Sequence, residues 1–161
     1  MKKSIGAVCL AGALAFAVAL PSINAQDAPS RPSVDMASLT FADHMSMTGR
    51  TLRTIKRAVR KLDDPASRQR ALDAVQILQE HMVAAKKKID QAPMSEYATN
   101  EFGDDTDAYH TSFRRHMVDA IEATLELELG ILAKDADAVA KALEHIEEEE
   151  HHSHDEFQVR E

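Results

Sequence analysis

The chain has 161 residues and a formal charge of −8, and the charge is unevenly spread. Residues 1–25 contain no acid and two bases, so all 27 Asp and Glu face only 17 Lys and Arg in the remainder, for a formal −10. That balance excludes nucleic acid as a partner, because phosphate backbones are bound by basic surfaces.

Lys2 and Lys3 precede an apolar run from Ile5 to Leu20, followed by Pro21 and the small residue Ala25. This is the layout of a secretory signal, so residues 1–25 are expected to be cleaved and the mature protein to reside in the periplasm, free of the membrane. The only cysteine, Cys9, leaves with that segment. A mature chain without cysteine has no disulfide, thiolate–metal site or cysteine nucleophile, and it lacks the Cys-x-x-Cys-His that covalent haem attachment needs. Gln26 to Val34, with Pro29 and Pro32, reads as a disordered leader, and residues 35–161 as one domain of ordinary size.

Within that domain the helical period dominates. Met45, Thr48, Leu52, Ile55, Val59 and Leu62 recur in steps of three and four and predict a first helix over about 35–62. Asp64 and Pro65 form a cap and a first-turn proline, opening a second helix over about 65–91 with the stripe Ala71, Val75, Leu78, Met82, Ala85 and Ile89. A long connection without apolar period runs from Ala92 through Gly103. The third helix, about 106–131, carries Phe113, Met117, Ala120, Thr124, Leu127 and Ile131, a stripe widened by Ile121, Leu125 and Leu132. Asp135 caps the fourth, about 135–158, with Val139, Leu143, Ile146, Glu150, His154 and Phe157 on one face. Four such segments with mostly short turns predict an all-α, antiparallel up-down-up-down four-helix bundle.

Chemistry shows where these stripes are interrupted. Met45 begins the first stripe, Met82 lies late in the second, Tyr109 and Phe113 stand at i and i+4 early in the third, and Glu150 and His154 end the fourth. In an up-and-down bundle all of these fall at the same end. A thioether facing an imidazole, beside aromatic rings, suits a flat iron porphyrin. Taken singly, a methionine on a stripe is ordinarily core and a histidine near a helix C-terminus ordinarily complements the dipole. His44, His81, His110 and His116 read as surface or rim residues.

The segment HMSMTGRTLRTIKR (44–57) resembles the start of the soluble cytochrome b562 family, whose axial methionine is followed by apolar residues seven and ten positions on, here Leu52 and Ile55. SHDEF (153–157) is similar to that family's closing His-x-x-aromatic, and AYHTSF (108–113) to the aromatic pair beside its haem. The resemblance covers about residues 38–158. It implies a monomeric periplasmic electron carrier, not an enzyme, with one non-covalent haem b, Met45 and His154 axial, Tyr109, Phe113 and Met82 lining the ring, and an unidentified redox partner protein. His151 and Met47 are the weaker alternative ligands: His151 shares a face with His154, whereas Met47 stands about 200° from Met45.

A reading of a different class rests on HIEEEEHHSHDE (145–156), which packs four histidines and six acids into twelve residues. Glu147 or Glu150 with His151 and His154, at helical spacing, are suited to a divalent Zn, Cu or Ni ion in a protein without haem. A third possibility is a helical protein without cofactor, its bundle end filled by its own side chains.

Overall fold

The computed structural model describes residues 35–157, with side chains as far as Ser153; the expected signal segment and the expected leader lie outside them. The described residues form five α-helices and no strand: α1 Phe41–Ala58, α2 Pro65–Lys86, α3 Glu96–Phe102, α4 Thr106–Ala133 and α5 Ala136–Phe157.

The first helix begins at Phe41, six residues later than its periodicity predicts. The reason is a reciprocal cap: Thr40 Oγ1 accepts from the Asp43 N–H at 3.1 Å, and the Asp43 carboxylate accepts from the Thr40 N–H at 2.9 Å. Upstream, a turn closes on Asp35, whose carbonyl accepts from the Ser38 N–H at 3.0 Å. This segment is tied to the far end of α2, where Lys88 Nζ donates to the carbonyls of Ala37 and Leu39.

The other breaks follow local rules. Asp64 accepts from Ser67 N–H at 2.9 Å, with Pro65 in the first turn of α2. α2 ends at Lys86 and continues as a single 3-10 turn, Ile89–Gln91. The connection expected to lack structure contains α3, capped by the Ser95 hydroxyl. Two turns are too short for a period of 3.6 to register in sequence. Gly103 closes it at φ +57°, a conformation that favours glycine.

α1 packs on α2, α4 on α5, and α2 on α4, while α3 rests against α4 and α5. The stripes meet in one core that includes Ile55, Ala71, Val75, Leu127 and Ile131. The expected widening of the α4 stripe is corrected here. Ile121 is partly buried against the core, but Leu125 and Leu132 point outward, at 49% and 58% exposure. Leu127 already fills the inward direction, and Leu125 stands about 200° from it.

The turn between α4 and α5 depends on two neighbouring positions. A Cβ on Gly130 would lie 3.0 Å from Val139 Cγ2 and 3.1 Å from the Val139 backbone nitrogen, so the missing side chain sets how closely α5 approaches. Lys134 ends α4 in the left-handed region at φ 57°, and the Asp135 N–H returns to the Gly130 carbonyl at 3.0 Å. Opposite outcomes follow for two substitutions. Gly130→Ala is expected to lower stability by about 1–3 kcal/mol through overpacking. Lys134→Gly should raise it by up to about 1 kcal/mol by relieving the left-handed residue. Urea unfolding followed by far-UV circular dichroism reads both, and superimposable curves would contradict this account of the turn.

Candidate functional site

Helices α1, α2, α4 and α5 together enclose a cleft of about 120 Å³. Met45 enters it from the second turn of α1, Met82 from the last turns of α2, and Met117 with His116 from α4. Ile146, Glu149, Glu150 and Ser153 supply the α5 wall, and Leu52 and Leu78 are part of the apolar lining. Three thioethers from three helices therefore converge on one small space.

Two polar contacts hold the acidic part of α5 against its neighbours. Glu149 Oε2 lies 3.1 Å from His116 Nδ1 on α4, and Glu147 Oε1 lies 2.5 Å from Lys56 Nζ on α1. The second pair is substantially exposed, so it contributes about 1 kcal/mol at most. Inside α1, the Thr48 hydroxyl donates to the Met45 carbonyl at 2.6 Å. That bond draws the hydroxyl back onto its own helix and leaves the thioether as the chemical feature of this turn.

The sequence candidates divide between three places. Met45 and Met82 line the cleft. His151 is exposed on α5. The side chain of His154 lies outside the described residues, although Glu150 and Ser153, on the preceding turn, reach the cleft. Met47 lines a different hollow, between α1 and α2, with Met36, Arg50 and His81. Tyr109 and Phe113 are buried in an aromatic group: Phe113 meets Phe41 edge-on at 5.6 Å, and Tyr109 meets Phe102 at 6.0 Å. The Tyr109 hydroxyl donates to the Pro93 carbonyl at 2.8 Å, and burial pushes its pKa up. Neither ring is among the cleft's lining residues.

The expectation that His44 and His81 sit at the surface is overturned. His44 is 0% exposed and His81 is nearly as buried, and their Nδ1 atoms lie 3.0 Å apart between α1 and α2. At that distance one ring must carry the proton and the other must present its lone pair, so the pair is asymmetric. His44 Nε2 is buried with no hydrogen-bond partner. A signal was present: His44 lies on the row His44, Thr48, Thr51, Ile55, Ala58, and His81 on the row Ala71, Ala74, Leu78, His81, Ala85, all of them buried. Reading only the adjacent row from Met45 hid the first. His110 is half-buried, and the half-buried His116 lines the cleft.

Among the described residues no three His, Cys, Asp or Glu side chains come together closely enough to hold a metal ion, and no helix is long and apolar enough to cross a membrane. Compared with known protein families, curated proteins and solved structures, the chain matches none.

The histidine pair gives a definite pH dependence. Burial, and then the neighbouring His44, hold His81 below the usual histidine range. The unfolded chain therefore binds this proton first as pH falls, and stability is full above about pH 6.5 and is lost below it. The slope approaches about 1.4 kcal/mol per pH unit where the unfolded state is protonated and the folded state is not. Urea midpoints of the parent should fall as the pH drops below about 6.5, and His81→Gln should flatten that fall. Equal slopes would mean that the pair is not the source.

Proposed function

We propose that this protein is an exported carrier of single electrons that holds one haem b without a covalent bond, with Met45 and His154 as axial ligands. The observation that carries this reading is that Met45 and the α5 turn immediately before His154 face the same cleft. The matching architecture is an antiparallel up-down-up-down bundle of α1, α2, α4 and α5, with α3 as an insertion in the long connection. Short α1–α2 and α4–α5 turns and the packing of α2 on α4 support it. Export rests on the layout of residues 1–25.

The donor chemistry suits the group: the neutral thioether of Met45, the imidazole of His154 and a largely apolar lining. The enclosed space, about 120 Å³, is well under the roughly 300–1,000 Å³ of ordinary ligand pockets. Seating a porphyrin would therefore require the cleft to widen. When bound, the haem supplies a one-electron iron couple. The chain's own residues do the rest. Met82, Met117, Leu52 and Leu78 keep water from the ligand side, and Met45 and His154 orient the group. Glu149 and Glu150 put carboxylates on the wall, which disfavours nearby propionates and favours the more positive, oxidised state. That opposes the upward effect of methionine ligation on the potential.

A visible absorption titration of the purified protein with haemin, followed by dithionite, tests the reading. We expect saturation at one haem per chain and sharp split bands on reduction. His154→Ala should remove the low-spin signature, and Met45→Ala should keep the haem with an altered spectrum. A spectrum indistinguishable from free haemin would overturn the proposal. The second reading, a Zn, Cu or Ni protein, draws support from the His116–Glu149 contact, which brings a further imidazole to the acidic run. Calorimetry with those ions would then decide it.

A further inference from the structure

The outward face of α4 has no role in the bundle, yet it is apolar. Val118, Leu125, Leu129 and Leu132 are 36%, 49%, 66% and 58% exposed. At 100° per residue they fall within about 60° of one another, and their mean direction is opposite that of the fully buried Tyr109 and Leu127. Single exposed apolar residues need no explanation, and Ile77 and Val83 on α2 are of that kind, since six positions put them about 120° apart. An aligned stripe is different. It covers one side of α4 for about 21 Å, and contiguous apolar patches of this sort mark interaction sites.

Charge says what covers it. Exposed Arg114 and Arg115 precede the stripe and the exposed acids Asp135 and Asp137 follow it, next to Lys134, while the exposed acids Asp119, Glu122 and Glu126 flank its middle. The two ends of this face, basic at Arg114 and Arg115 and acidic at Asp135 and Asp137, complement each other when it is turned end for end. We propose that the occupant is a second copy of this chain, bound α4 against α4 in antiparallel sense about a two-fold axis, in place of the monomer expected from the sequence. A two-fold interface is self-complementary by construction. Centring it on Leu125 sets Val118 opposite the second copy's Leu132, and Arg114 and Arg115 near its acidic turn at Asp135. A parallel arrangement would stack like charges instead.

The stripe is about 21 Å long on a helix about 10 Å wide, below the roughly 800 Å² per partner of a standard stable interface. The dimer therefore forms and dissociates with concentration. The assignment stands on α4 and the turn that follows it, and holds whether or not haem binds.

Sedimentation equilibrium of the purified protein over a wide concentration range tests it. The average mass should rise from one chain towards two, and higher salt should weaken the association. Leu129→Glu, at the most exposed stripe position, should keep the helical circular dichroism of the parent and weaken dimerisation at least about tenfold. Arg114→Gln with Arg115→Gln should weaken it less and remove most of its salt dependence. In a Cys9→Ser background, Leu125→Cys should form a disulfide-linked dimer on mild oxidation, because this position faces its own copy at the axis. A monomer at every concentration would overturn the proposal, including the case where the stripe receives a different partner. So would a Leu129→Glu variant that associates like the parent, or a Leu125→Cys variant that fails to cross-link at concentrations where the parent is dimeric.

Discussion

Burial of one stripe from each long helix is the constraint on which the described domain depends. Residues 35–157 contain no cysteine, so no disulfide limits the unfolded chain there. Isolated helices of this length are marginal in water, and tertiary packing has to supply most of their stability. Small residues make that packing close. Ala71, Ala74 and Ala85 form much of the buried face of α2, and Gly130 lets Val139 approach to a distance that a methyl group would contest. With net stabilities of order 5–15 kcal/mol, one such contact is a large share of the whole.

Against that constraint, the buried histidine pair is costly. Two imidazoles taken out of water cost free energy unless their nitrogens are partnered, and here each Nδ1 is satisfied by the other while His44 Nε2 is not. The pair has a geometric consequence. His44 precedes Met45 and His81 precedes Met82, so a 3.0 Å contact between the rings fixes the axial register of α1 against α2. That same register sets the two thioethers across from one another on the cleft. A slip of one helix by one residue would break the ring contact and turn that helix's methionine about 100° from the cleft.

Much of this was readable from the chain, for identifiable reasons. Asp64 and Asp135 each accept from backbone N–H groups at helix starts, and capping is local chemistry that spacing reveals. The stripe of α2 was legible because all six of its positions are buried. Local reading failed where tertiary context decides. The Thr40 cap lies inside a stretch that periodicity alone extends to residue 35, and α3 is too short to show a period. His44 and His81 look like rim residues until α1 and α2 are laid together. Leu125 and Leu132 look like core because apolar residues usually are; only packing shows which side of α4 meets the other helices.

The two apolar faces of α4 bear on each other. His116, Met117 and Ala120 turn towards the cleft, while Val118, Leu125 and Leu129 lie on the opposite side of the helix. Pairing through the outer face would therefore leave the cleft and its acidic α5 wall open to solvent and to other proteins. It would also hold two clefts in one particle, related by symmetry and separated by at least the thickness of two helices, about 20 Å. Such an arrangement would leave both clefts accessible without either blocking the other. It also explains how one surface helix can be apolar on both sides: the inner face is committed to folding, and the outer one is free for association.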